Sequence, residues 1–276
     1  MSGSAIALPK PMPIDSQPTP ATPLPEFPEP ASAVPPAISR KLIAPIWHTI
    51  MIVAILVTFS FLGSDPQKHA STGPYARIAL YGGTFLFELV IVLLIWFWIR
   101  RSGLSMRDLI GGRWKTVEAF LLDIAMAIGF LIAANAVLVG VRIALGTLDL
   151  HHMDKQLAET KRMLGHMIPR TKVEAGMFVG LSVAAGLFEE IIFRGYLQRQ
   201  FVALLGNAYL GILASAIVFG LAHAYQGGLM MIAIGIYGAM FGLLAHFRKS
   251  LRPGMMTHAA QDAYSGIALF FIARSM

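Results

Sequence analysis

At 276 residues, 56% of them hydrophobic and only 13% charged, with a mean hydropathy of +0.65, the chain is too apolar for a soluble globular domain; such domains carry roughly 25% charged residues. The absence of cysteine excludes a disulfide framework, a thiol nucleophile and thiolate metal ligands, so any metal would be held by nitrogen and oxygen. The net charge of +7 does not point to nucleic acid, because Lys and Arg cluster beside the ends of apolar segments and no basic stripe with interleaved aromatics occurs.

From Met1 to Ser39 the sequence is crowded with proline and nearly free of large apolar side chains. A tail of this composition cannot bury a core and is expected to be disordered. After Arg40 and Lys41, seven apolar stretches follow, where about 20 helical residues cross a bilayer. They run over Leu42–Leu62, Ile78–Ile99, Ala119–Leu145, Ala175–Phe193, Tyr209–Ala224, Leu229–Phe247 and Met255–Ile272. The fold expected is an all-α polytopic membrane bundle of about seven helices, within a range of six to eight. The fourth helix is expected to run on through "RGYLQRQF", and the short fifth and the polar seventh need shelter from neighbours.

Basic connections mark the cytoplasmic side. "RRSGLSMRDLIGGRWK" and "RKSLR" both agree with a cytoplasmic amino terminus, while the connection from Asp149 to Lys172 carries Lys155, Lys161, Arg162, Arg170 and Lys172 against that scheme. An interfacial amphipathic helix burying Met153, Leu157, Leu164 and Met167 would reconcile it.

The first three spans are plain hydrocarbon with isolated polar residues such as Glu88, Asp123 and Asn135; the last four hold the histidine and carboxylate chemistry. In "FEEIIFRG", Glu189, Glu190 and Arg194 sit in an apolar helix, where each charge costs roughly 2.5 to 3.5 kcal/mol unless paired or facing a wet cavity. Glu190 and Arg194 are four residues apart and share a helix face, so they can pair. Glu189 lies about 100° round the helix and is left over as a candidate general base for water. Arg194 alone would equally suit a helix end with its head group reaching lipid phosphates.

In "SAIVFGLAH", Ser215, Phe219 and His223 recur every four residues and share a face. His223 by itself suits a hydrogen-bonded core histidine or a helix-end residue more readily than a catalyst, with Phe219 packed beneath it. In "MTHAAQDA", His258 and Asp262 are again four apart, so the aspartate can orient the imidazole, or both can face a reacting group. His48, His69, His151, His152, His166 and His246 lie at span ends or in loops, where solvent or the interface would take them. Gly235, Gly238 and Gly242 suggest close helix contact. One carboxylate and two imidazoles on three helices suit water activation and oxyanion stabilisation, hence peptide hydrolysis. No nucleophile elbow or Ser–Lys pair accompanies Ser215, so serine proteolysis fits poorly.

The three motifs in order, "EEIIFR" as E-E-x-x-x-R, "FGLAH" as F-x-x-x-H and "HAAQD" as H-x-x-x-Asn/Asp, resemble the CAAX prenyl protease and bacteriocin-processing (CPBP or Abi) family of intramembrane proteases over about Ala175 to Phe271. The resemblance implies a helical intramembrane endopeptidase in which Glu189 and His223 activate water, His258 and Asp262 stabilise the oxyanion, and Glu190 and Arg194 support the site. Asp262 stands where eukaryotic members commonly have Asn. No obligatory cofactor is expected; a divalent metal such as zinc, for which two His and one Glu would suffice, stays open. The implied organisation is a tail over 1–39, membrane helices and an interfacial connection over 40–172, and a catalytic helical domain over 173–276. The implied partners are a peptide or lipid-anchored protein substrate and membrane lipids; the composition points to no nucleic acid, the short connections and proline-rich leader to a bacterial inner (plasma) membrane, and the basic connections to a cytoplasmic tail. Two other readings remain: a non-catalytic membrane scaffold or immunity protein, and a proton-coupled transporter relaying through Glu189, His223 and His258.

Overall fold

The computed structural model describes residues 41–63, 75–144 and 165–274. The proline-rich tail, the connection around Met153 and Leu157, and His69, His151 and His152 lie outside the described residues. The greater part of each of the seven apolar stretches lies on a helix, and no described residue lies in a strand. The protein is an all-α polytopic membrane bundle. The α-helices among the described residues are α1 (Ile46–Leu62), α2 (Ala76–Arg101), α3 (Met106–Ile110), α4 (Val117–Ala144), α5 (Lys172–Leu205), α6 (Ala208–Leu221), α7 (Gly228–Arg248) and α8 (Arg252–Arg274).

By length and composition α2, α4, α5 and α7 can cross a membrane; α1 and α6 are apolar but shorter. The 14-residue α6 is only about 21 Å long against a hydrocarbon core of about 30 Å. It packs against α7 and the end of α5, which shelter it. The polar α8 lies against α5 and α4.

Local chemistry sets the boundaries. Pro45 precedes α1. Ser105 and Asp108 form a capping box at α3, and the hydrogen bonds from Ser105 hold the Asp108 carboxyl below its usual range. Thr171 and Glu174 form the same box at α5. Gly206 ends α5 at φ 67°, a left-handed turn that suits glycine, and Asn207 then caps α6 by accepting from the amides of Tyr209 and Leu210.

Within α5, Glu190–Leu197 winds as a π-helix, and all eight of its residues are buried. Such wide turns recur at functional sites. α6 ends at Leu221, so His223 stands just beyond the helix rather than on it.

Small residues permit the close approach of helices. Gly238 faces Phe219 on α6, and its carbonyl accepts a hydrogen bond from Arg194. Gly235 lies against Gly220 and Ala216, and Gly242 against Gln198 and Ile212, in keeping with the glycine spacing. A methyl group at Gly186 would come within 2.6 Å of the Ala259 backbone nitrogen on α8. Gly186→Ala is therefore expected to force α5 and α8 apart and cost about 1–3 kcal/mol, read as a lowered thermal midpoint of the purified protein.

Two isolated polar residues of the first half are structural. Asp123, fully buried, takes ion pairs from Arg248 at 2.8 Å and Arg252 at 2.9 Å and a hydrogen bond from the Trp114 indole, which ties α4 to the junction of α7 and α8. Asn135 donates to Gln261 on α8. His48 departs from the solvated placement expected of it. It is buried, with Nδ1 2.7 Å from the Tyr196 hydroxyl, in a network through Thr49 and Gln200 that fastens the start of α1 to α5.

Candidate active site

The six motif residues come from three stretches that the bundle brings together. α5 carries Glu189, Glu190 and Arg194; the turn after α6 carries His223; α8 carries His258 and Asp262. Glu190 and Arg194 are paired at 2.9 Å with 0% and 2% of their surfaces exposed, as their spacing suggests. Arg194 also donates to the Gly238 carbonyl at 3.1 Å, and its guanidinium lies 4.3 Å from the centre of the Phe219 ring and 5.1 Å from that of Phe241. The clamp is thus an aromatic-walled ion pair, and Phe219 does more than pack beneath His223.

The His258 ring stands between the two glutamates. Nδ1 is 3.3 Å from Glu190 Oε1, and Nε2 is 3.6 Å from Glu189 Oε2. Asp262 Oδ2 is 3.7 Å from the same Nε2, with 39% of its side chain exposed. The nearest orienting partner of His258 is therefore Glu190, from another helix, and the Asp262 carboxylate sits at the cavity side.

His223 Nδ1 lies 2.8 Å from the Phe219 carbonyl oxygen. A carbonyl only accepts, so Nδ1 carries the hydrogen and Nε2 is the nitrogen turned to the site. Nε2 is 3.9 Å from Glu189 Oε2. That oxygen is buried without a hydrogen-bond partner, so Glu189 holds an unused acceptor between two imidazoles. Glu189, His223, His258 and Asp262 all line one cavity of about 360 Å³. Ser215 does not join them: it is buried and donates to the Phe193 carbonyl.

Two wall residues fall outside the motifs. Tyr237 on α7 is mostly buried, packs edge to face on Phe241 with ring centres 4.9 Å apart, and has a hydroxyl with no hydrogen-bond partner. Its signal was a polar-tipped aromatic within the apolar run "IGIYGAM". Glu88 on α2, 7% exposed with Oε2 unpartnered, lines the same wall. The cavity is thus not confined to the segment from Glu189 to Asp262. Among the described residues, no three His, Cys, Asp or Glu side chains are arranged to hold a metal ion, so no step is drawn through one.

The comparison with curated proteins returns no match, and neither does that with solved structures. The family model described as type II CAAX prenyl endopeptidase Rce1-like matches residues 171–264, about a third of the chain, and this stretch contains all six motif residues. Residues 171–264 thus match the Rce1-like type II CAAX prenyl endopeptidase family, in agreement with the resemblance carried by the three motifs.

Proposed function

We propose that the protein is an intramembrane endopeptidase that hydrolyses a peptide bond in a membrane-associated substrate with water activated by Glu189 and His223. The observation that carries this reading is Glu189 Oε2, buried, unpartnered, and facing His223 Nε2 at 3.9 Å on the cavity wall. Two acceptors at that separation can share one water molecule that donates a proton to each. Such a water turns its lone pair to a substrate carbonyl.

Glu189 takes the water proton as oxygen bonds to the carbonyl carbon. The carbonyl oxygen becomes an oxyanion that meets His258 Nε2, in its protonated form, and the Tyr237 hydroxyl. Glu189 then passes the proton to the amide nitrogen, the C–N bond breaks, and a carboxylic acid and an amine leave. Glu190 holds His258 through Nδ1, and Arg194 holds Glu190. Asp262 borders the cavity where a substrate would lie. A prenylated or bacteriocin-like substrate and a bacterial plasma membrane are compatible with this reading.

A panel of quenched peptides, prenylated and plain, incubated with the purified protein and its Glu189→Ala variant tests the reading. Cleavage by the parent and not by the variant supports it; equal cleavage by both sinks it. Tyr237→Phe gives a second test. The hydroxyl has no partner to lose, so the thermal midpoint should hold while kcat falls about 100-fold, the order of one oxyanion donor.

A further inference from the structure

Glu88 has no role in the water chemistry, yet its placement asks for a partner. It projects from the middle of α2, is 7% exposed, and has Oε2 buried without a hydrogen-bond partner. A second cavity, of about 600 Å³, adjoins the first and is walled by apolar side chains including Leu56, Phe59, Phe87 and Ile192. Both cavities are lined by Thr84, Glu88, Met167, Glu189, His223 and Tyr225, so Glu88 stands at their junction beside the reacting groups.

The first cavity is lined by three carboxylates, Glu88, Glu189 and Asp262, and two imidazoles, His223 and His258, and the second adds His166; among the described residues neither cavity is lined by Lys or Arg. If all three carboxylates are ionised, they outnumber the two imidazoles even with both protonated. A buried carboxylate keeps its charge only when a cation or hydrogen-bond donors reach it. No Lys or Arg lines either cavity and no hydrogen-bond donor meets Glu88 Oε2, so a cation from the substrate fits there better than a carboxylate.

We propose that Glu88 is a specificity-determining residue that pairs with a lysine or arginine side chain of the substrate, next to the bond presented to Glu189 and His223. This rests on the hydrolase reading for its idea of a substrate and names the class: an extended apolar segment carrying one basic residue near the scissile bond. The apolar part of the segment occupies the larger cavity, and its backbone passes Glu189.

The test uses the full-length protein in nanodiscs and apolar peptides that differ by Lys, norleucine or Glu at each position in turn. Binding is read by fluorescence anisotropy, and cleavage by mass spectrometry of the same samples. At one position the Lys peptide is expected to bind at least about tenfold more tightly than its norleucine counterpart, as loss of one partner of a buried charge pair would suggest. Glu88→Gln, which keeps the shape and removes the carboxylate, should erase the preference for Lys over norleucine. Glu88→Lys should reverse it toward Glu. Absence of a Lys preference in the parent protein, or its survival in Glu88→Gln, overturns the proposal. A Lys preference with no cleavage would sink the hydrolase reading and leave the Glu88 site standing; cleavage with no preference does the reverse.

Discussion

Glu189→Gln is expected to lower the rate of peptide cleavage about 10³-fold, within the range assigned to a positioned general base. The side chain keeps its size, so the cavity and the fold should persist; what is lost is the acceptor that faces His223 and His258. His223→Ala should cost a similar factor, because His223 Nε2 and Glu189 Oε2 act on one water molecule. Their effects should therefore not multiply. The double variant is expected to be about as slow as the slower single one, as residues acting as a unit are. Measured kcat/KM values for the four proteins decide this, and a double variant slowed by the product of the two factors would assign the residues to separate steps.

Arg194→Met should be the most damaging single change to stability. Arg194 and Glu190 are both almost completely buried and paired at 2.9 Å. Removing one member of such a pair leaves a buried charge and costs about 3–5 kcal/mol. The guanidinium also contacts the Gly238 carbonyl and two aromatic faces, so its loss loosens α5 from α6 and α7. Adding Glu190→Gln removes the stranded charge and should restore much of the thermal midpoint. It should not restore cleavage, because His258 loses the carboxylate that holds Nδ1. Recovery of both would mean that Glu190 serves stability alone.

The sequence makes the bundle legible because a membrane imposes continuous apolar runs, and a helix covers the greater part of each of the seven. The Glu190–Arg194 pair is legible for the same reason: buried charges must pair, and spacing names the partner. The faces that meet across the bundle are not encoded locally. Glu190 rather than Asp262 lies nearest to His258, because α8 packs against α5 closely enough to seat the ring between two glutamates. Glu88 is the one carboxylate of a mostly apolar segment, and only the packing of α2 on α5 brings it to the cavity. The π-helical turns from Glu190 to Leu197 depend on tertiary burial and leave no periodic mark. Likewise, the helical face drawn through Ser215, Phe219 and His223 stops short, since α6 ends at Leu221 and His223 is held by its bond to the Phe219 carbonyl.

The central claim is that water held by Glu189 is added to a peptide carbonyl. The most direct measurement is mass spectrometry of an apolar peptide panel incubated in ¹⁸O-water with the purified protein and with Glu189→Gln. The account predicts a new carboxyl terminus carrying one ¹⁸O from the parent protein and essentially none from the variant. Products formed equally by both proteins would contradict it.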